Sequence, residues 1–325
     1  MSRASLWLTS LTLLACSGEP VTRALEEPIR IPDAQFFEGE LPGLPPLTAD
    51  EINAGVMPKT PFVSGINLGN AVIPPRESGR AISGLSSPDT QAVGVRFEEL
   101  GTGYWLLPTR GADVVNDGAL GWSFRASFGG GLPTGLQKLL LAGIDAEGHS
   151  GNQVALTLCL SSELPDNGNS CDPSTAPPAL VVSLAWQAAV DLDLRVVTPT
   201  GKIVDSKNPT TANEDEDGKI DTTLPGVGVI PFDSFARCAP DGRRRESLVF
   251  QETPPAGTYL IYANLYDACG QSGVSFDVSM HTLADGEEPD TYTQTQTYEQ
   301  AGQLQAVHAN GGAGLGMFIA SFNVK

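Results

Sequence analysis

PTGLQKLLLAGIDAEG, residues 133–148, and PAGTYLIYANLYDACG, residues 255–270, share the ungapped pattern P-x-G-x9-D-A-x-G. Pro133/Pro255, Gly135/Gly257, Asp145/Asp267 and Gly148/Gly270 stand in register. Each copy opens on a Pro-Gly turn, continues with room for one strand, and closes on an Asp-Gly turn. Two such units 122 residues apart are what tandem domains of one architecture leave behind. Turns of this kind also recur by chance in β proteins, so the echo sets a domain count without showing common ancestry.

Outward from the echo, the chain from Pro61 onward runs in short apolar stretches punctuated by Gly, Pro, Asn and Asp. AVGVRFEEL, GYWLLPT and LGWSFRASF precede the first copy; ALVVSLAW, DLDLRVVTP and SLVFQE precede the second, and VSFDVSMHT follows it. No segment keeps a helical period over a useful length. This punctuation predicts an all-β protein of two tandem β-sandwich domains. An immunoglobulin-like sandwich is expected over 61–163 and a jelly-roll-like one, with C-terminal strands, over 179–325. The Pro- and Asn-rich stretch 164–178 is the expected linker. Residues 16–60, rich in Pro and Glu, lack periodicity and read as a flexible tether.

The chain begins MSRASLWLTSLTLLAC. Arg3 supplies a positive n-region, and the apolar run to Ala15 is too short to span a bilayer. Leu13-Leu14-Ala15-Cys16 resembles a bacterial lipobox, so residues 1–15 are expected to be a signal peptide and Cys16 the lipidated residue. The competing reading is an ordinary signal peptide with an incidental cysteine. Several acyl chains on Cys16 would anchor the protein firmly, whereas a single chain binds marginally.

The 325 residues carry 19 Lys and Arg against 38 Asp and Glu, a formal charge of −19. Such acidity disfavours nucleic acid and anionic membrane surfaces and suits divalent cations or plain solubility. Beyond Cys16 there are four cysteines: Cys159, Cys171, Cys238 and Cys269. An even number in an exported chain reads as two disulfides with three possible connectivities. Cys159–Cys171 with Cys238–Cys269 is favoured because each pair lies within one expected domain.

The order LAWQAAVDLDLRVVTPTG … RRRESLVFQETPPAGTYLIYANLYDACG resembles the YfaP-like family of uncharacterised bacterial secreted proteins over roughly residues 179–281. The shared features are Trp186, the strand Asp191 to Leu194, the Pro199–Gly201 turn, Glu246 ahead of Phe250, and Pro255 to Cys269. The resemblance implies a β-sandwich and an extracytoplasmic location, with no established activity. Relatives carry Asp-x-Asp-Ser-Asn before the first of these cysteines; here the stretch is Pro231-Phe232-Asp233-Ser234-Phe235, which keeps only Asp233 and Ser234.

The densest acidic run, NEDEDGKID at 213–221, lies upstream of that stretch. With Asn213 at position 1 of a calcium loop, Asp215, Asp217 and Asp221 fall at positions 3, 5 and 9. Gly218 then falls at position 6, and Lys219 offers its carbonyl at 7. That spacing lets alternate side chains converge on one ion. Position 12 is Leu224 in place of the bidentate Glu, and turn formers replace the flanking helices. The expectation is a weak calcium site, at about 10⁻⁴ to 10⁻³ M as in extracellular modules. A solvated hairpin tip is the bland alternative. Asp191 and Asp193 form a second candidate, since alternation on a strand puts both on one face while Leu192 and Leu194 face the core. They share a cation there, or they simply meet water.

Catalytic constellations are missing from the sequence. His149, His281 and His308 have no zinc spacing, and no G-x-S-x-G elbow or P-loop occurs. Tyr104, Trp105 and Trp122 are sugar-stacking candidates, although strand aromatics are mostly core. Arg243 to Arg245 decorate a turn or meet an acidic partner. The resulting expectation is a non-catalytic lipoprotein of the bacterial envelope, at the outer membrane or cell surface. It would bind the membrane through its lipid, an unidentified extracellular protein or glycan, and calcium. The alternatives are a carbohydrate-binding module and an accessory domain of a secreted hydrolase system.

Overall fold

Alternation of apolar side chains organises the first half into two facing sheets. The computed structural model describes residues 27–112 and 118–325. One sheet has the order β1 (Ile29–Arg30), β8 (Leu120–Phe128), β5 (Arg80–Ser86), β3 (Val63–Asn67). The other runs β2 (Gln35–Glu38), β7 (Gly103–Pro108), β6 (Ala92–Phe97), β9 (Gly135–Ile144), β10 (Val154–Leu160), β4 (Val72–Ile73). Every second residue points inward: Val93, Val95 and Phe97 from β6 and Leu139 and Leu141 from β9 meet Ile82, Trp122 and Phe124 in one core.

This sandwich starts earlier than the composition implies. β1 pairs with β8 and β2 with β7, and Glu27 accepts hydrogen bonds from the Thr102 amide and hydroxyl at 2.8 and 2.6 Å. Helix α1 (Ala49–Asn53) is held by a capping box between Thr48 and Glu51. Described residues up to 60 therefore belong to the first sandwich and not to a tether over 16–60. Edge strands of two and four residues next to prolines are too short to print a period on the sequence. Cys16 and the signal segment lie outside the described residues. Among the described residues no helix is long and apolar enough to cross a membrane.

The second half repeats the design. Its five-stranded sheet has the order β14 (Gly228–Val229), β15 (Arg245–Phe250), β11 (Leu180–Trp186), β17 (Gly273–Asp285), β18 (Tyr292–Gln305). The four-stranded sheet has β13 (Ile203–Val204), β12 (Asp191–Val197), β16 (Gly257–Asp267), β19 (Met317–Val324). Trp186, Leu192, Leu194, Phe250, Tyr259 and Phe276 dominate its core. The disulfides are Cys159–Cys171 and Cys238–Cys269. The first ties residues 161–171 to β10, while Asn169 and Pro165 from the same stretch hydrogen-bond to Tyr292 and Gln294 on β18.

The echo falls on equivalent strands. In the first sandwich β5 pairs with β8, and β6 pairs with β7 and β9; in the second, β11 pairs with β15, and β12 pairs with β13 and β16. The two copies are β9 and β16. Gly135 and Gly257 open them at φ of +107° and +135°, which only glycine adopts readily. Asp145 and Asp267 close them by accepting backbone amides two residues on.

Candidate metal centre

On β12 the residues Leu192, Leu194 and Val196 enter the core, so Asp191, Asp193 and Arg195 take the outer face. That face is nevertheless buried, with Asp191 and Asp193 only 3% and 2% exposed. Residues 205–206 and 233–237 cover it, and the turn at 312–314 meets Arg195. Asp233 is exposed at the edge of this cover, and carboxylate oxygens of Asp191, Asp193 and Asp233 lie within 4.8 Å of one another.

The hydrogen bonds show how the cover is held. Asp191 Oδ2 accepts the Arg237 amide at 2.6 Å, and Asp193 Oδ1 accepts the Ser206 hydroxyl at 3.1 Å. Phe235, Arg237 and Cys238 take left-handed φ of 61°, 53° and 63°, an uncommon set for residues with a Cβ. The Cys238–Cys269 disulfide ties this turn to the end of β16. Arg195 is the main counter-charge, with Nη2 3.7 Å from Asp193 and Nε 3.5 Å from Asp205. It also donates to the carbonyls of Gly312 and Gly314.

Glu246 sits beneath this cluster, 2% exposed and facing inward from β15. β13 pairs only with Val196 and Val197, leaving the rest of that β12 edge open. Glu246 closes part of it: Oε2 accepts the Leu194 amide at 2.8 Å and Oε1 accepts the Ser234 amide at 3.1 Å. One buried carboxyl thus joins both sheets to the turn that carries Asp233.

Negative charge exceeds its compensation here. Burial pushes Asp191 up to about 6 from the ordinary 3.8, opposed by the Arg237 amide and reinforced by Asp233 and Asp267. Burial likewise pushes Asp193 up to about 6, with Asp191 adding to the shift and Arg195 opposing it. Asp233 is raised by burial and by Asp241, and Glu246 is raised well above the usual range by burial and by Asp193. Crowded oxygens of this kind are the donor set of a hard divalent cation.

The acidic run is arranged otherwise. Asn213, Asp215, Asp217, Lys219 and Asp221 are all exposed, and among the described residues no three carboxylates of the run gather within 4.8 Å. The loop closes on itself as a hairpin, with Glu214 bridged to Ile220. The Lys219 carbonyl, expected as a ligand, accepts the Asp215 amide at 2.8 Å. Asp215 Oδ1 accepts the amides of Asp217 and Lys219, and Asp221 accepts both donors of Thr223. Local turn bonds therefore engage Asp215, Asp221 and the Lys219 carbonyl, three of the groups that the calcium-loop spacing assigns to an ion.

The remaining candidates are also occupied. Cys238, Asp267 and Cys269 cluster, but both sulfurs are in the disulfide; Asp145, Glu147 and His149 form an exposed turn. Trp122 is buried, Trp105 donates to the Ile29 carbonyl and packs on Phe36, and Tyr104 stacks on Phe37, so these strand aromatics pack against the first sandwich. Sequence reading missed Asp233 as the third carboxylate of the cluster and Glu246 as a buried partner. Glu246 is among the features shared with the family, while Asp233 is one of two residues kept in the stretch where this chain departs from it.

Compared with protein-family models the chain matches none, and no curated protein matches it. Among solved structures, the C-terminal domain of the Streptococcus agalactiae AgI/II polypeptide BspA aligns with 72% of this chain and 95% of its own, at 10% identity and a TM-score of 0.24. A score that low carries no argument about shared architecture or role.

Proposed function

We propose that the chain is a non-catalytic binding or structural protein of the bacterial envelope, anchored through Cys16, whose second sandwich binds calcium at Asp191, Asp193 and Asp233. One observation carries the cation: two buried carboxylates and a third at the surface converge within 4.8 Å, with Arg195 as the main nearby counter-charge. An ion at that point would tie β12 to the turn at 233–238 and relieve the repulsion that raises these carboxyls. All-oxygen ligands of unequal exposure suit calcium better than magnesium, which demands near-octahedral geometry. The anchor rests on the lipobox-like end of the leader segment.

Thermal melting of the full chain in EDTA, calcium or magnesium tests the cation. Millimolar calcium is expected to raise the transition of the second sandwich, reaching about 2.7 kcal/mol when the ion is a hundredfold above its dissociation constant. Magnesium is expected to do much less, and Asp191→Asn with Asp193→Asn to abolish the response. A wild-type protein indifferent to calcium would remove the proposal.

A further inference from the structure

The cleft between the two sandwiches has the opposite charge to the molecule around it. It encloses about 350 Å³ between the turn at 74–76, residues 162–165 of the connection, and residues 231–232 and 242–247 of the second sandwich. Arg76, Arg243, Arg244 and Arg245 line it, against Glu163 as its one acidic residue. The whole chain holds only 19 Lys and Arg and carries −19, so this is a concentrated positive spot on an acidic protein.

The arginines are positioned and incompletely satisfied. Arg76 holds a left-handed φ of +57°, a conformation costly for a residue with a Cβ, and its Nε lies 3.1 Å from Glu163. Arg245 shares that carboxylate at 3.9 Å, while its buried Nε has no hydrogen-bond partner. Arg243 and Arg244 lie over the rings of Phe232 and Phe235 at 3.7 and 4.0 Å, which fixes both guanidiniums without neutralising them. Among the described residues neither has a carboxylate within ion-pair distance. Pro74, Pro75, Pro165 and the half-exposed Phe232 supply apolar walls.

We infer that this cleft binds a small organic oxyanion, a carboxylate or phosphate ester on a body with an apolar face. Guanidinium forks match planar and tetrahedral oxyanions through paired, charge-assisted hydrogen bonds. The enclosed volume is that of a small-molecule site. A polyanion such as nucleic acid would meet the acidic remainder of the surface, whereas a single anion entering the cleft meets four arginines against the one carboxylate of Glu163. The site adjoins the turn that carries Asp233, through Phe232 and Phe235, and uses none of the three clustered aspartates.

Isothermal titration of the full chain at low salt, freed of metal and then dialysed into chelator-free buffer, with glucuronate, glucose 6-phosphate and glucose tests this. At least one anion is expected to bind, while glucose does not. A preference for glucuronate would identify a carboxylate ligand, and a preference for the phosphate an ester. Arg243→Gln with Arg244→Gln, the first exposed and the second half-buried, should lower affinity about tenfold or more and leave a cooperative melting transition in place. Arg243→Lys should recover only part of it, because charge without the fork is a poorer match. Absence of binding by both anions, equal binding of glucose, or full affinity in the double glutamine variant would overturn the inference.

Discussion

The two sandwiches share the β5-to-β9 and β11-to-β16 connections but spend the same positions differently. Echo and strand register together superpose β6 on β12: Arg96 falls on Arg195 and Gly94 on Asp193, and Ala92 lies next to Asp191, which a β-bulge offsets by one residue. In the first sandwich Leu41 covers this face, packed with Leu140 and Ala142. A Cβ on Gly94 would come within 2.4 Å of Leu41 Cδ1, so the apolar cover leaves no room for a side chain. Arg96 reaches past it to the Gly39 carbonyl and to Glu40. In the second sandwich a polar cover replaces Leu41, and Asp191 and Asp193 put carboxylates on this face. What lies over a strand decides which side chains its outer face can carry.

The inward face differs as well. Superposing the paired serines Ser83–Ser123 on Ser183–Ser247 brings Trp122 onto Glu246. Trp122 is accommodated because its cross-strand neighbour is Gly84, where a Cβ would meet the indole at 2.4 Å. Glu246 instead faces Leu184 and uses its carboxyl to satisfy two backbone amides. One sandwich fills that corner with volume and the other with hydrogen bonds.

The largest expected effect breaks the corner of the first sandwich. Trp122→Ala should cost about 3–5 kcal/mol in urea unfolding, since a buried indole is lost and only part of the space collapses. If the sandwiches are independent units, the calcium response of the second should survive unchanged. A lost response would show that the two halves act as one.

A smaller effect sharpens the contrast between Gly94 and Asp193. Asp191 and Asp193 are raised from 3.8 to about 6 in the fold, so the folded state holds protons that the unfolded state releases. Stability in EDTA should therefore fall as pH rises from about 4 to about 6 and level off above. The expected loss is on the order of 1–2 kcal/mol per group after solvent screening. Asp191→Asn with Asp193→Asn should flatten that slope to the part that Asp233 and Glu246 leave, and calcium should restore stability above pH 6. Denaturation curves across this window check it, and a slope unchanged in the double variant would place its origin elsewhere.

The smallest effect concerns the exposed acidic hairpin. Asp215→Ala with Asp217→Ala should change stability by no more than about 0.5 kcal/mol. The calcium response should persist, because both side chains are exposed and Asp215 bonds only within its own turn. A calorimetric titration in which the double variant loses calcium would return the ion to residues 213–221.

Much of this arrangement was legible in the residues. Period-two apolar stretches, the glycines at 135 and 257 and the aspartates at 145 and 267 specify strands and turns locally. They marked the all-β class, and the echo marked two units. Cys238–Cys269 followed from keeping the pair within one unit, and Cys159–Cys171, its complement, joins β10 to the stretch expected as the linker. The alternation of Asp191-Leu192-Asp193-Leu194 assigned both aspartates to one face before any fold was known. The first strands were not legible, because β1 and β2 are edge strands of two and four residues whose order comes from β8 and β7. A 14-residue strand at Tyr292–Gln305 was equally hidden, since its Thr- and Gln-rich faces bury little.

The sequence by itself determined where backbone turns and which side of a strand each residue occupies, because sterics and pleat act between near neighbours. Only the tertiary structure decided what covers those faces. NEDEDGKID had the better local spacing for an ion, yet short-range hydrogen bonds to Asp215, Asp221 and the Lys219 carbonyl close it as an exposed hairpin. Asp233 and Glu246 lie 40 and 53 residues beyond Asp193 and meet it only when β15 and the turn after β14 fold over β12. Burial then raises the carboxyls, and burial is a property of the packed molecule that no stretch of residues holds alone.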